Sequence, residues 1–492
     1  MKGLLSPVLG SLLAGACRET RSSSAWQPIL AALLGPALLF PVTAHAQIQS
    51  GALDKTFTPA ITNQSFVQIL SLLALPGNKT LVGGSFAKVD GVARSGIAQL
   101  NSDGTLDPAF DPGTGISGGF GTVNVIVIQP ADGNVLVGGD FTSFNGTARK
   151  RIVRLSPGGT VDTNFNPGVG FDNTVSALAV QTDGKILVGG RFSNAIGTPH
   201  ASLARLNTDG TLDASFKGVA DGQVNAIVAV GDHVLIGGRF ATVSGKQRPW
   251  LARLNALDGS LDLAFTNAPS DFVNSLVVQP DLRVLVGGGF TNLGPANLFG
   301  IARLNADGSV DGGFQPSLDY QPFGSVFSIA VQSDSKIIIG GNFSSVGGVS
   351  RPSLARFRVN GSLDTGWTPD PPNTAVQAMA VQVDGKLLVG GSFSITSTDG
   401  QTQYWLARLW GDSVVSLSPS LSDIKMLPNG AVQFMVNGEV GRSYIIQALA
   451  NFAASPAWAN ISTQLQATAA QPYVDSAASG FPQRFYRAEL KP

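Results

Sequence analysis

An apolar run closed by Gly-Gly-x-Phe returns seven times along this chain, ending at Phe86, Phe141, Phe192, Phe240, Phe290, Phe343 and Phe393. Successive phenylalanines stand 55, 51, 48, 50, 53 and 50 residues apart. Between copies lie short apolar runs and turn signals. A period of ~40 to 50 residues of that kind is the signature of one sheet-forming unit repeated around a ring. The fold class it implies is all-β, a seven-bladed β-propeller, with very little helix. Glycine at 60 of 492 residues and charged residues at only 13% suit many tight turns between buried strands.

The third copy reads strand by strand. TVSALAVQ at 174–181 alternates and then runs apolar, as an inner strand buried on both faces would. Thr182-Asp183-Gly184 turns the chain into ILVGGRF, the second strand. Pro130 and Pro280 follow the equivalent glutamines, where a type I turn favours proline. The paired glycines permit close approach of the next blade or a bulge. A loop then leads to SLARLN at 202–207, and Thr208-Asp209-Gly210 reverses it into TLDASF, a fourth strand. That turn sets Leu206 opposite Leu212 and Arg205 opposite Asp213. The same offset pairs Arg154 with Asp162, Arg303 with Asp311 and Arg356 with Asp364. Arg253 and Asp262 carry one inserted residue, and the first copy has Gln99 opposite Asp107. Each such pair contributes about 0.2–1 kcal/mol, enough to fix register and little more.

The seventh copy has LARL at 406–409 but no LDxxF after it. The missing piece is GALDKTF at 51–57, a fourth strand without its first three. It is expected to complete blade seven, with Asp54 facing Arg408, and to close the ring without exposed sheet edges.

Residues 1–46 read as a secretion signal: Lys2, Arg18 and Arg21 precede the apolar run at 29–42, and Ala44-His45-Ala46 offers a cleavage site. LAGAC, ending at Cys17, nearly spells a lipoprotein box, but its leucine stands one residue too far from the cysteine. After cleavage the chain would hold 29 basic and 31 acidic residues and no cysteine. Such neutrality, without a basic stripe, argues against nucleic acid. The expected organisation is a signal at 1–46, a propeller at 47–412, a linker at 413–424 and a small β-sandwich at 425–492. Phe434, Tyr444, Trp458, Tyr473, Phe485 and Tyr486 would supply the sandwich core.

The elements Q-x-D-G-K, I-L-V-G-G-x-F, L-A-R-L-N and D-G-x-L-D-x-x-F, over residues 51–410, closely resemble the delta-60 repeat of bacterial secreted and surface proteins. The apolar run before Gly-Gly also resembles kelch repeats, whose later tyrosine and tryptophan marks are missing. The C-terminal YIIQALANFAASPAWANI and FPQRFYRAEL resemble a terminal module of secreted verrucomicrobial and planctomycete-type proteins, with Leu449 where that module carries serine. The resemblance implies export and transfers no catalytic residue.

Chemistry-bearing groups are scarce. No glutamate lies between residues 47 and 438, and His200 and His233 fall in different blades, so a histidine metal pair is not expected. Asn101-Ser102-Asp103-Gly104-Thr105-Leu106-Asp107 faintly resembles a calcium loop but lacks its first acidic ligands and its glutamate, and reads as a turn. Asp140, Asp172, Asp221, Asp271 and Asp319 stand outside the recognised repeat elements and could serve a glycosidase if two converged at the pore mouth. Gln68, Asn124, Ser176, Asn225, Asn274 and Gln377, with Phe327 as the exception, share one position of the inner strand. They could hydrogen-bond a sugar or peptide in the channel, although bonding between blades is the simpler use. The function expected is that of a secreted, non-catalytic, monomeric binding protein, without a membrane span or cofactor. It would meet polysaccharide or a cell-surface protein; the alternative is a carbohydrate-active enzyme using pore-mouth aspartates.

Overall fold

The computed structural model describes residues 49–412 except 64, 65, 317, 320, 322 and 323, and residues 420–437, 443–449, 458–465, 470–480 and 485–490 beyond them. The signal read in residues 1–46, Cys17 included, and residues 413–419 of the expected linker lie outside the described residues.

The regular structure described is strand apart from two short 3-10 turns, and the seven copies form seven separate three-stranded antiparallel sheets. In the third copy the inner strand Val175–Val180 pairs with Ile186–Gly190, which pairs with Leu203–Leu206. The expected fourth strand shrinks to one bridging pair, Leu206 with Leu212, and its equivalents recur in every blade. The register is the one that the Arg–Asp offset requires. Blade seven takes its bridging pair from the other end of the chain: Leu53 bridges Leu409, and the Asp54 amide donates to the Arg408 carbonyl at 2.7 Å.

What was read as a loop before the third strand is, in five blades, a short hairpin, as at Ser143–Phe144 with Thr147–Ala148. Asn145 and Gly146 both adopt positive φ at its tip, the geometry of a type I′ turn. Blade seven departs from this pattern. Its strands Leu387–Thr396 and Thr402–Leu409 run on past an irregularity into one long hairpin.

Among the described residues no sheet closes on itself; blades are joined by side chains and by single backbone bonds such as that from the Asn166 amide to the Asp209 carbonyl at 2.8 Å. The two glycines of each copy have different tasks. A Cβ on Gly189 would lie 2.7 Å from Val224 Cγ1 and 2.8 Å from Ile227 Cδ1 of the next blade. On Gly190 it would fall on the Thr174 carbonyl, because a β-bulge in the facing strand brings that backbone close. Gly390 meets Ile69 and Leu72, so blade seven packs on blade one as each blade packs on its successor.

Beyond the propeller, Ser420–Met426, Val432–Asn437 and Ala470–Asp475 form one three-stranded sheet, and Ala459–Leu465, Ser443–Leu449 and Phe485–Leu490 another. The first strand begins inside the segment read as linker. Phe434, Val436 and Ile446 form the cluster the two sheets share, with Tyr473 and Tyr486 packed against Phe434 at ring distances of 5.4 and 4.9 Å. Tyr444 is buried, and Trp458 stays half-buried under the Arg487 guanidinium. No helix among the described residues is long and apolar enough to cross a membrane.

Candidate functional site

The polar residues that define the repeat meet in one place. Arg205 Nε donates to Asp213 Oδ2 at 2.7 Å, Nη1 comes within 3.3 Å of Gln181 Oε1, and the guanidinium lies 4.7 Å from the Phe216 ring centre. Lys185 reaches the same carboxylate at 2.9 Å. The free edge of the guanidinium donates to the carbonyls of Ala256 (2.5 Å) and Leu257 (2.7 Å) in the next blade. Arg154 and Arg253 repeat this latch on Thr208 and Asp307, Arg303 on Val359, and Arg408, held by Asp54 over Phe57, on Ser102 of blade one. Arg356 instead meets Asp412 at 2.6 Å, since no such turn exists in blade seven.

The pairs read as register-setters are also buried. Arg205 is 2% and Asp54 0% exposed, and the Arg205 guanidinium donates from Nε, Nη1 and Nη2, so removing a partner strips a buried charge of part of its compensation. Burial alone would raise the Asp54 pKa, but bonds from Thr56 and Lys386 and the charge of Arg408 hold it below the ordinary range.

The shared inner-strand position is the bulge itself. It is occupied by Leu70, Asn124, Ser176, Asn225, Asn274, Phe327 and Gln377. Gln68 is therefore misplaced in the expected polar ring: it stands two residues before the bulge, paired with Ser85. Asn124, Asn225 and Asn274 donate to the carbonyls of Val175, Val273 and Val326 in the following blades at 3.1–3.2 Å. They clasp blade to blade. Nearby, the inner strands of blades one, five, six and seven line a cavity of about 570 Å³ whose wall is mainly apolar, including Leu73, Val278, Val331 and Val381.

Two of the candidate aspartates, Asp140 and Asp172, act on one arginine, Arg151, while Asp221, Asp271 and Asp319 are each taken up locally. Asp172 accepts the amides of Ser193 and Asn194, and Asp221 those of Ala241 and Thr242. Both stand four residues before their bulge, a repeat position the sequence reading took for irregular. Ser270 and Asn373 fill it in blades five and seven, capping the same turn. Asp319 accepts from the Ser345 hydroxyl and the Gly348 amide. Burial would raise the Asp172 and Asp221 carboxyls, yet these bonds hold both below the usual range; Asp319 is lowered chiefly by Ser345. Asp140 is buried against Arg151 and accepts from Thr174 at 3.1 Å, and Asp271 bonds the Phe272 amide.

Asp103 accepts the Thr105 amide and hydroxyl, as the turn reading requires. His200 lies between the carbonyls of Leu203 and Phe216, while His233 stands in the following blade. Among the described residues no three potential metal ligands come together.

A further feature the sequence reading missed is at the joint of blades seven and one. Thr58–Ile61 and Thr402–Leu406 enclose a pocket of about 310 Å³, beside which Phe66, Tyr404 and Trp405 gather.

The model of a family described as a domain of unknown function (DUF5122) β-propeller matches residues 76–110, 131–165, 181–216, 232–265, 279–314, 332–366 and 382–415. Residues 76–415 are a run of seven DUF5122 β-propeller repeats. The third DUF5122 segment starts at Gln181 and ends at Phe216, the first and last residues of its latch, so the latch lies in the part that the repeats share. Phe66, Phe120 and Asp172 fall outside every matched segment.

No curated protein matches the chain. Similar solved structures include a catalytically inactive virginiamycin B lyase from Staphylococcus aureus with quinupristin (11% identity, TM-score 0.28, covering 77% of this chain and 96% of that one). Another is the calcium structure of a Trichoderma reesei carbohydrate-active enzyme of family AA12 (12% identity, TM-score 0.28, 75% and 100%). At these scores the likeness carries no argument about function.

Proposed function

We propose that the chain is an exported, non-catalytic binding or cell-surface interaction protein: a seven-bladed delta-60-type propeller, closed by its N-terminal strand, that carries a small β-sandwich. The sandwich reading rests on the two sheets that share Phe434, Val436 and Ile446. One observation carries the functional reading. Three of the five candidate carboxylates are engaged by the fold: Asp172, Asp221 and Asp319 cap turns and are held below the ordinary range, whereas a general acid needs its pKa raised. The protein acts as a monomer and recognises its partner, polysaccharide or surface protein, without nucleic acid or cofactor.

The test is incubation of the purified chain with insoluble polysaccharides, following retention and soluble fragments together. Retention without fragments is expected. Fragments that accumulate with time would overturn the reading.

A further inference from the structure

The position four residues before the bulge separates the blades into two kinds. In blades three, four, five and seven it carries Asp172, Asp221, Ser270 and Asn373, each capping amides of the turn after the second strand. In blades one and two it carries Phe66 and Phe120, 52% and 87% exposed. There the cap is unnecessary, because the preceding segment pairs directly with the turn: the Ala87 amide donates to Thr62 O at 2.9 Å and the Thr142 amide to Ser117 O at 3.0 Å. Freed from capping, the position presents an aromatic ring to solvent. Exposed aromatic surface is costly to leave uncovered, and apolar patches with polar rims mark binding sites.

Blade seven adds to the same place. Its long hairpin carries Tyr404, 57% exposed, and Trp405, whose ring lies 6.0 Å from Tyr404 and 6.5 Å from Phe66 in an edge-on arrangement. Trp405 is held there by a left-handed backbone at φ 67° and by packing on the core of blade one. The adjoining pocket is rimmed by the uncharged side chains of Thr58, Thr402 and Gln403. Gln403 Nε2 donates to the Phe57 carbonyl at 2.5 Å, and its buried Oε1 has no donor. The nearby charges, Lys55 and Asp399, pair with each other.

We propose that Phe66, Tyr404 and Trp405 form a platform for a pyranose ring of a neutral polysaccharide, with the next sugar's hydroxyls bonding in the Thr58–Gln403 pocket. The chemistry favours this occupant. Aromatic faces are electron-rich and attract the polarised C–H groups on one side of a sugar ring, while neutral donors and acceptors match its hydroxyls. The absence of charge from the rim disfavours an acidic or basic polymer. This inference rests on the proposed binding function and names its ligand class and site.

The experiment uses the purified full chain with cellulose, chitin, xylan and curdlan, measuring retention, released fragments and the tryptophan emission shift on adding soluble oligosaccharides of each. Tyr404→Ala and Phe66→Ala remove exposed rings, so their melting temperatures serve as the folding control; Trp405→Phe keeps an aromatic ring in the core contact. Retention of wild type on at least one polymer is expected, weakened about tenfold by either alanine variant at unchanged melting temperature. Retention by none of the four, or retention within twofold of wild type in the Tyr404→Ala/Phe66→Ala double variant, overturns the site. Fragment release would instead sink the non-catalytic reading, and the alanine variants would still report whether the polymer is held here.

Discussion

The latch and the aromatic platform treat the repeat in opposite ways. At the latch, Gln181, Lys185, Arg205, Asp213 and Phe216 are all consumed in holding one blade to the next, and the Arg–Asp pair at its centre recurs in six of the seven blades. At Phe66 and Tyr404 the repeat is broken, and what replaces it faces solvent. The contrast teaches that the repeated residues explain why this chain folds, while its exceptions are where a partner can be recognised. Mutation should therefore separate the two regions, with stability lost at one and binding at the other.

The largest loss is expected from deleting residues 47–60. Leu53 and Phe57 are fully buried, and each contributes about 1.5–3 kcal/mol by burial. Removing Asp54 also strands Arg408 and Lys386 without their carboxylate. Thermal unfolding followed by circular dichroism should shift down sharply; an unchanged midpoint would mean that blade seven is complete without the N-terminal segment. Arg205→Ala comes next. It leaves Lys185 as the one cation on the Asp213 carboxylate and the Leu257 carbonyl of the next blade without its donor, and should cost up to about 3–5 kcal/mol. A variant such as Tyr404→Ala should cost less than about 0.5 kcal/mol, and equal losses at both positions would erase the distinction.

Acid should act on the latch and the turn caps rather than on the platform. Asp54, Asp107, Asp213, Asp262 and Asp311 are all held below the usual 3.8; burial opposes this, and bonds from lysine, arginine and backbone outweigh it. A lowered folded-state pKa gives stability that is fully present above 3.8 and is lost as pH falls through the folded value. The melting temperature should stay level from pH 7 to about 5 and fall steeply below about 4. Sugar retention at pH 5 should equal that at pH 7, because no carboxylate or histidine is among the residues that line the pocket and platform. A fall in retention between those values would join what the comparison separates.

Sequence periodicity disclosed the blades because each is a local unit, and the eight-residue offset of Arg205 and Asp213 disclosed the last register because a tight turn converts spacing into pairing. The short hairpins, read as loop, carry a signal that could have shown them: Asn145-Gly146 and Asp90-Gly91 are two-residue turns with a strong preference for φ above zero. The bulge was legible in part: the paired glycines allow one, but not which facing residue is inserted. Leu70 stands 13 residues before Gly83 as Ser176 does before Gly189, so spacing from the glycines marks it, and not Gln68, as the counterpart of Ser176. The latch's reach from Arg205 to Ala256, and the meeting of Phe66 with Trp405 across the joint of the first and last blades, are set by packing around the ring. No local pattern encodes either.

The smallest effect tests how much the clasp contributes beyond the latch. Asn225 donates to the Val273 carbonyl at 3.1 Å, and Asn225→Ala leaves that carbonyl without its side-chain donor, a cost of about 1 kcal/mol. Blade one already carries Leu70 at this position, yet its joints are served from neighbouring residues: Ser71 Oγ accepts the Ile126 amide at 3.0 Å, and Gln68 bonds Gln377 at 2.5 Å. The ring thus needs a polar contact at the joint more than an amide at the bulge. Asn225→Ser should recover little, because the shorter side chain cannot span to the next strand, whereas Asn225→Gln should recover part of the loss. If Asn225→Ala is as damaging as Arg205→Ala, the bulge holds the blades together as firmly as the latch, and the division of labour drawn here fails.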